Sequence, residues 1–527
     1  MGDDTEQPRK ASWHDASREL DQRRQLAVGQ GGPAAVAKQH ERGRLTIRER
    51  ISRVLDEGTF REVGPIAGSA ETSADGGLSF QPANFVLGTG KISGRHCVVG
   101  GEDFTIAGGS PNPAGQRKSV YTEDLALQLR LPLVRLQEGA GASVTGSGGK
   151  GVSTLPDPVF SSNRFESIAR CLQTVPVASA ALGAVAGLPA GRFVASHFTV
   201  MTRHGAQVMT GGPALVERAL GVKITKEELG GADVHARSGL VDQVVEDEES
   251  AFDSIRTFLS YLPQNVWEAP PTLQCSEPLE GDAERFKALL PTDRRFAYDM
   301  RKIVNAIIDR ESFFEIGRQF GRGQIVGLAR LAGQPVGIFA NDTRHLAGSL
   351  TADGAQKVRR FVDLCGTFHL PVITLVDEPG FMIGPDAEKQ ATIRHGAAAL
   401  TSVALSPVPW AAVLVRRSMG LANYAHIPTG TLVIAWPSAE SGALPVEGGV
   451  AIAFRREIAA AADPAAKRAE LEAQFAARQS PFRRAEAFGV HDLIHPHETR
   501  TRLSEWLDLV QPKVRSQLGP APFAYRP

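Results

Sequence analysis

Residues Gly88 to Gly94 read GTGKISG, and residues Gly327 to Gly333, 239 positions later, read GLARLAG. At the same spacing, LPLVRLQE, which begins at Leu131, matches LPVITLVD, which begins at Leu370. A third match lies upstream, where VLDEGTFREVG precedes IIDRESFFEIG by 253 positions. Three matches in the same order indicate that the chain contains two copies of one structural unit.

Length and composition fit two packed units. The chain has 527 residues, 42% of them hydrophobic, so each half can bury a core of ordinary domain size. Lys plus Arg and Asp plus Glu both number 58, so the net charge is zero and binding to nucleic acid is not expected. The four cysteines form no CxxC or Cys/His cluster, which predicts inert core thiols, no metal site and a cytoplasmic setting. The polar start and the absence of a long apolar run predict no signal peptide and no membrane span.

The order of strand-like and helical segments predicts an α/β fold. HCVVGG, LPLVRL and VPVASAALGAV alternate with helical runs such as VYTEDLALQLR, and the second half repeats this order. Residues 14–57 favour helices, the last of which is expected to end at Gly58. Residues 262–295 hold five prolines and little periodicity. We therefore predict a first domain over residues 1–261, a linker over residues 262–295 and a second domain over residues 296–527.

Each half contains a strand that ends in a glycine turn, VASAALGAVAGLPAG in the first half and WAAVLVRRSMGLANY in the second. Where a helix begins at such a turn, its first N–H groups have no partner within the helix and point at whatever binds there. Gly187-Leu188 and the segment from Gly420 to Ala422 are therefore candidate oxyanion holes, in which backbone donors stabilise a developing negative charge. The alternative is that these glycines only permit a tight turn.

Several common catalytic motifs are missing from the sequence. It contains no GxSxG elbow, no P-loop, no HExxH and no GxGxxG after a strand. Triad hydrolysis, nucleotide hydrolysis, zinc proteolysis and dinucleotide redox chemistry therefore lack support. A reaction that needs oxyanion stabilisation without a side-chain nucleophile, such as formation of a thioester enolate, fits the two turns.

Five longer segments resemble the biotin-dependent acyl-CoA carboxylases, specifically their carboxyltransferase (beta) subunit. These segments are GTGKISGRHCVVGGEDFTIAGGS, TGGPALVERALGVKITKEELGGADVHARSGLVD, AGSLTADGAQKVRRFVDLCGTFHLPVITLVDEPGF, IRHGAAAL and AWPSAE, and the resemblance covers about residues 40–510. It implies two tandem crotonase-like (ClpP/crotonase) domains, each a spiral of β-β-α units. It also implies transfer of CO2 from carboxybiotin, carried on a partner chain, to the α-carbon or vinylogous γ-carbon of an acyl-CoA thioester.

The resemblance assigns a role to each glycine turn. It implies a biotin-side oxyanion hole at Gly187 and Leu188, and an acyl-side hole at Leu421 and Ala422 after Gly420. The family generally has Gly-Gly in each turn, where this chain has Gly-Leu. We expect the leucines to add bulk and to resist a positive φ.

Other site residues follow from the same resemblance. Glu138 stands at the family's Asp, where we expect a hydrogen-bond acceptor that fixes the next loop, and Ser143 replaces the family's Arg or Asn. Lys118 is either a contact to a CoA phosphate or a plain surface lysine. Tyr424 is expected to set the size of the acyl group, and His395 is expected to be a structural helix residue. The loop residues expected to bind substrate are Gly139, Ala140, Gly141 and Ala142.

The sequence has no biotin-attachment motif and no ATP-grasp-like loop. The resemblance therefore implies a separate biotin carboxylase/biotin carboxyl carrier (alpha) subunit as partner, and a homo-oligomer in the form of a hexamer. The identity of the acyl-CoA and the direction of transfer stay open, because a decarboxylase subunit of the same fold would use the same residues. A non-catalytic acyl-CoA-binding member is the third possibility, prompted by Leu188, Leu421 and Ser143.

Overall fold

Two sheets of eight strands each dominate the molecule. The computed structural model describes residues 12–73, 77–110, 112–141, 163–293 and 296–527, without the side chain of Arg164. A small two-stranded hairpin accompanies the first sheet.

The strands of the first half lie between residues 61 and 245, and β2 and β3 form the small hairpin. In chain order they are β1 Arg61–Glu62, β2 Gly68–Thr72, β3 Leu78–Pro82, β4 Phe85–Ile92, β5 Arg95–Glu102, β6 Leu133–Gly139, β7 Val177–Ala186, β8 Phe198–Thr202, β9 Gln207–Met209 and β10 Gln243–Val245. Those of the second half are β11 Phe314–Ile316, β12 Gln324–Leu331, β13 Gln334–Asn341, β14 Val372–Glu378, β15 Trp410–Met419, β16 Leu432–Ala435, β17 Glu440–Gly442 and β18 Asp492–Leu493.

The two sheets have the same topology. The first runs β1-β4-β5-β6-β7-β8-β10 with β9 beside β7, and the second runs β11-β12-β13-β14-β15-β16-β18 with β17 beside β15. In both, the first three strands pair antiparallel and the rest pair parallel. The duplication and the α/β fold predicted from the sequence are therefore confirmed.

The repeated GTGKISG and GLARLAG segments each form a hairpin with a two-residue loop. Ser93 and Gly94 both have a positive φ, as do Ala332 and Gly333, which is the backbone of a type I′ turn. In the first half the two loop N–H groups donate to the carboxylate of Asp56 at 2.9 and 2.7 Å. In the second half Asp309 accepts the equivalent bonds at 2.9 and 2.8 Å. The sequence repeat therefore encodes one capped hairpin twice.

The helices cover the faces and ends of the sheets. They are α1 Trp13–Val28, α2 Pro33–Glu41, α3 Ile47–Val54, α4 Pro113–Leu129, α5 Arg164–Thr174, α6 Leu188–Val194, α7 Pro213–Leu220, α8 Lys226–Gly230, α9 Ala232–Ser238, α10 Glu248–Tyr261, α11 Ala283–Leu289, α12 Met300–Ile307, α13 Ala352–Thr367, α14 Pro385–Lys389, α15 Thr392–Ala404, α16 Val446–Ala453, α17 Arg455–Ala460, α18 Pro464–Arg478, α19 Pro481–Glu486 and α20 Thr499–Ser516. Short 3-10 helices span Ala107–Gly109, Leu346–Gly348, Leu421–Ala425 and Pro496–Glu498.

The helix predicted to end at Gly58 ends earlier. α3 stops at Val54, and Leu55 is extended. The reason is that the next residue, Asp56, must reach the hairpin loop that its carboxylate caps. Across the described residues, no helix combines the length and hydropathy needed to cross a lipid bilayer.

The two halves share part of their core. Phe198 of the first half stacks on Phe258 with 4.9 Å between ring centroids and meets Phe314 of the second half at 5.2 Å. The hydroxyl of Tyr261 donates to the carbonyl of Ser312 at 2.6 Å. Buried side chains therefore pack continuously from one half into the other. The predicted boundaries, a first domain that ends at residue 261 and a second that begins at residue 296, stay a prediction.

Candidate active site

Both predicted turns are strand-to-helix turns at equivalent places in the two sheets. β7 ends at Ala186 and α6 begins at Leu188, with Gly187 as its N-cap. β15 ends at Met419 and the 3-10 helix Leu421–Ala425 begins after Gly420. Among the described residues, the N–H groups of Leu188, Leu421 and Ala422 have no hydrogen-bond acceptor. The turns therefore present free backbone donors, the requirement for an oxyanion hole.

The leucines do not occupy the strained positions. The positive φ falls on Gly187, at 67°, and on Gly420, at 61°. Leu188 and Leu421 are the first residues of their helices and have no positive φ. No backbone conflict arises at the leucines, because each turn needs glycine only one residue earlier, where this chain has it. The effect of their added bulk stays a prediction.

The two turns differ in their donors. In the first half, Leu188 is followed by Pro189, which has no N–H to offer. In the second half, Leu421 and Ala422 can both donate. Leu421 and Tyr424 are 52% and 62% exposed beside this turn, so bulky apolar surface flanks the second set of donors.

The loop predicted to bind substrate packs against the first turn. A Cβ added to Gly141 would lie 3.2 Å from the Cα of Gly187. The N–H of Ala140 donates to the carbonyl of Gly108 at 3.1 Å, and a Cβ on Gly139 would meet the side chain of Glu102 at 2.9 Å. The structure therefore brings Gly141 to the first turn, while Gly139 and Ala140 pack against other parts of the first half. Ala142 and Ser143 lie outside the described residues.

Glu138 precedes this loop and is fully buried. Its carboxylate accepts from Gln39 and Arg44, each at 2.7 Å, and pairs with Arg50 at 2.7 Å. These three partners come from the N-terminal helical segment. Glu138 is thus a buried acceptor bound by the N-terminal segment, and its part in fixing the next loop stays a prediction.

The second half has an equivalent carboxylate, Asp377, at the same place near the end of its strand, β14. Arg416 and Arg417 approach it with Nε at 2.9 and 2.6 Å, and the hydroxyl of Tyr298 lies at 3.0 Å. This cluster is not among the site residues predicted from the sequence. The spacing of 239 between LPLVRLQE and LPVITLVD, which pairs Glu138 with Asp377, is the signal that finds it.

Lys118 is not a surface lysine. It is only 9% exposed, and its Nζ lies 3.2 Å from Oε1 of Glu62 and 3.1 Å from the carbonyl oxygen of Gly64. Burial lowers its pKa, and Glu62 opposes that change. Because the amine is turned inward onto acceptors of its own chain, the geometry gives no support to a contact with a CoA phosphate. His395 lies in α15, as a structural helix residue should.

The cysteines are free, and three of them are buried. Cys275 is the exception to the predicted core positions, because it is half-buried beside Glu277 and Asp309. The guanidinium of Arg500 contacts all three side chains. Its Nη2 lies 2.7 Å from Asp309, 3.6 Å from Glu277 and 3.8 Å from the Cys275 sulfur. A guanidinium thus provides the positive charge that these side chains would otherwise seek from a metal ion.

Comparisons with known proteins agree with this geometry. A carboxyl transferase domain matches residues 38–520. The propionyl-CoA carboxylase carboxyltransferase subunit of Haloferax mediterranei is 34% identical over 513 residues, which cover 95% of this chain and 96% of that protein. The mitochondrial propionyl-CoA carboxylase beta chain of Homo sapiens is 32% identical over 506 residues, which cover 94% of this chain and 90% of that protein.

Solved structures extend the similarity to the fold. Transcarboxylase 12S, described as a hexamer and solved with methylmalonyl-CoA bound, matches with a TM-score of 0.84 at 28% identity, covering 95% of this chain and 96% of that one. A single-chain, multi-domain long-chain acyl-CoA carboxylase matches with a TM-score of 0.79 at 29% identity, covering 93% of this chain and 48% of that one. The predicted tandem crotonase-like fold is confirmed. The chain belongs to the carboxyl transferase family and is an enzyme of the carboxyltransferase (beta) subunit kind of the biotin-dependent acyl-CoA carboxylases.

Proposed function

We propose that this chain performs carboxyl transfer at its two glycine turns, with Gly187 and Leu188 on the biotin side and Leu421 and Ala422 on the acyl-CoA side. The observation that carries this assignment is the pair of equivalent strand-to-helix turns with unpartnered N–H groups. Carboxybiotin, when bound, supplies the carboxyl group. The free donors fit the two carbonyl oxygens that such a transfer must stabilise.

In this proposal, Leu421 and Ala422 donate to the thioester oxygen as negative charge develops on it. One pre-organised donor of this kind contributes about 3 kcal/mol to the transition state. Leu188 donates on the opposite side, where the adjacent Pro189 leaves fewer N–H groups. We assign no side-chain base. The biotin nitrogen that has just released its carboxyl group can accept the proton from the acyl α-carbon.

The glycines at both turns argue against a decayed, non-catalytic site. Both positions that require a positive φ, Gly187 and Gly420, are glycine. The exposed side chains of Leu421 and Tyr424 then shape the acyl pocket without altering the backbone of the turn. We propose that Tyr424 sets the size of the acyl group, and that propionyl-CoA and 3-methylcrotonyl-CoA are the first two substrates to compare.

We further propose that the complete site forms between two chains of a homo-hexamer. Within one chain the two turns belong to different sheets, and no hydrogen bond or ion pair of the described residues joins them. Exposed apolar side chains lie near each turn. Phe165 packs beside Gly191 of α6, the helix of the first turn, and Ile393 lies in α15, which packs against the 3-10 helix of the second turn. An isologous contact that pairs the first turn of one chain with the second turn of its neighbour would bury both faces.

The proposed partner is a biotin carboxylase and biotin carrier subunit, and the proposed setting is the cytoplasm, in keeping with the four free thiols. The isolated chain is expected to carry no biotin.

Mixed chains test the shared site. Leu188→Pro disables the first turn and Ala422→Pro disables the second, so each parent is expected to be inactive. After subunit exchange, some interfaces combine two intact turns, and carboxyl transfer to propionyl-CoA should reappear. Exchange is verified with chains of different tags, and a mixture that stays as inactive as its parents would show that each chain builds its site alone.

A further inference from the structure

Behind the second turn, a buried carboxyl group meets a buried imidazole. Glu378 is the last residue of β14, and His426 directly follows the 3-10 helix Leu421–Ala425. Both side chains are completely buried. Oε2 of Glu378 lies 3.5 Å from Nε2 of His426. The pair therefore connects the end of a core strand to the helix that presents the second set of donors.

The remaining contacts of the pair are neutral. Oε1 of Glu378 accepts from the N–H of Gly380 at 2.9 Å, and Oε2 accepts from the side-chain amide of Asn341 at 3.0 Å. The His426 ring stacks on Phe339 with 4.1 Å between centroids and 11° between planes. Neither ring nitrogen has a hydrogen-bond partner among the described residues. An isolated buried charge is costly, so each group is the natural counter-group of the other.

The first half provides a comparison. There the spacing of 239 places Glu102 opposite Asn341 and Gly139 opposite Glu378, so the buried carboxyl group sits one strand away. Glu102 is also buried, and its Oε1 lies 3.7 Å from Nη1 of Arg192, a residue of α6. Each half thus places a buried carboxyl group against a basic side chain attached to the helix of its own turn.

The two basic side chains differ in one property. Arg192 stays protonated at any pH that a protein tolerates, and Glu123 holds it at 2.9 Å. His426 is a cation only when its imidazole is protonated. The ionic contact behind the second turn therefore depends on a proton, whereas the contact behind the first turn does not.

Other charges near this edge are already paired. On β14, Asp377 is neutralised by Arg416 and Arg417 of β15. Directly after β13, Asp342 is paired with Arg301 and Arg344.

The helix packed against the short 3-10 helix, α15, brings further basic groups. It carries an exposed Arg394 and a half-buried His395. Neither forms an ion pair with Glu378 or His426 in the described part of the chain. His426 is thus the basic group in contact with Glu378.

We propose that Glu378 and His426 are positioning residues that together retain one proton beneath the short helix, and that this charge balance holds the N–H groups of Leu421 and Ala422 in place. When that proton is lost, a buried carboxylate remains without a cation, and the helix shifts to admit water. This inference rests on the proposed function, in which the second turn serves the acyl-CoA. It adds an alkaline limit to the activity of the enzyme, and this limit arises from the second turn alone.

The pKa of Glu378 supports the direction of this effect. Burial raises the pKa of Glu378, while His426 and the hydrogen bonds from Gly380 and Asn341 oppose the rise. Removal of the imidazole should therefore leave a carboxyl group that resists ionisation until higher pH and then destabilises the fold as it ionises.

The test compares His426→Phe, Glu378→Gln and the double variant. Phenylalanine keeps an aromatic ring to stack on Phe339 but removes the counter-group. Formation of propionyl-CoA from methylmalonyl-CoA is measured against pH with free biotin as the carboxyl acceptor. For His426→Phe we expect kcat to fall about tenfold relative to the unsubstituted enzyme on the alkaline side, with KM for the CoA ester within about twofold.

Glu378→Gln carries no charge, so its alkaline loss of kcat should be weaker than that of the unsubstituted enzyme. The double variant should regain most of the activity that His426→Phe loses, because the offending carboxylate is gone. A merely structural role for His426 would lower activity equally at all pH values and would not be rescued by Glu378→Gln. Unchanged pH profiles, or a double variant no better than His426→Phe, would overturn the proposal.

Thermal unfolding against pH needs no substrate and separates this proposal from the proposed function. The unfolding midpoint of His426→Phe should fall with rising pH relative to the double variant. Absence of transfer in the unsubstituted chain would count against the proposed function, and the unfolding curves would still test the pair. Parallel unfolding curves for the two variants would reject the retained proton.

Discussion

The two halves have the same strand order, the same capped hairpin and the same kind of turn, yet they handle buried charge differently. In the first half, Lys118 pairs with Glu62. In the second half, Glu315 stands at the equivalent place and is bound by Arg301, whose Nε donates to it at 2.8 Å. Lys357 is left with the carbonyl oxygens of Phe320 and Gln324, at 2.9 and 2.7 Å.

The consequence is a difference in proton affinity at equivalent positions. Burial lowers the pKa of Lys357 to about 7, and Glu315 and Asp242 only partly oppose that effect. The same backbone thus accommodates a paired lysine in one half and an unpaired one in the other. The comparison teaches that the duplicated frame is set by hydrogen-bonded turns and core packing, while the charges around each turn have diverged.

The largest expected effect comes from removing the buried carboxylate that precedes the first loop. Glu138→Ala leaves Arg50 partly uncompensated in a fully buried position, and we expect a loss of about 3–5 kcal/mol in the free energy of unfolding. Urea unfolding measures it. Glu71→Ala, an exposed carboxylate of β2, is the control and should stay within about 0.5 kcal/mol of the parent. A loss below about 1 kcal/mol would mean that the N-terminal helices do not hold the loop through Glu138.

The next effect tests the second turn directly. Ala422→Pro deletes one free N–H, and a lost donor of about 3 kcal/mol implies a decrease in kcat of over a hundredfold. Ala422 is completely buried, so Leu421→Pro, at the half-exposed first position of the helix, is the companion variant. Ala283→Pro, at the first position of α11, is the control for an added proline. Retention of more than about a tenth of the rate in both turn variants, with folding intact, would reject the acyl-side assignment.

A smaller effect sharpens the lysine comparison. The unfolded chain keeps a lysine pKa of about 10.4, so between about pH 7 and about pH 10 it binds more protons than the folded chain does at Lys357. The free energy of unfolding should therefore rise with pH in this window, relative to Lys357→Met, by at most about 1.4 kcal/mol per pH unit. Urea unfolding at several pH values measures the difference.

Lys118→Met provides the matched comparison from the first half. Because Glu62 opposes the effect of burial on the pKa of Lys118, the dependence on pH should be weaker there. Equal slopes for the two variants would show that the ion pair with Glu62 does not distinguish the halves.

Much of the site could be read from sequence because it is local. A strand followed by glycine and a helix start is contained in about a dozen residues, and Gly187 and Gly420 were identified in this way. The departures arose where a side chain meets a distant partner. The sequence predicts that Lys118 faces a ligand or solvent, and only its tertiary contact with Glu62, 56 residues earlier in the chain, turns its amine inward.

The sequence by itself determined the duplication, the α/β class and the two glycine turns, because hairpin loops, strand periodicity and turn glycines follow from short-range backbone sterics. The tertiary structure decided which charges meet. Glu378 and His426 are brought together by the parallel pairing of β14 with β15, and Glu138 meets Arg44 and Arg50 because the N-terminal helices pack on the first sheet. Burial and charge pairing depend on residues far apart in the chain, so no local pattern carries them.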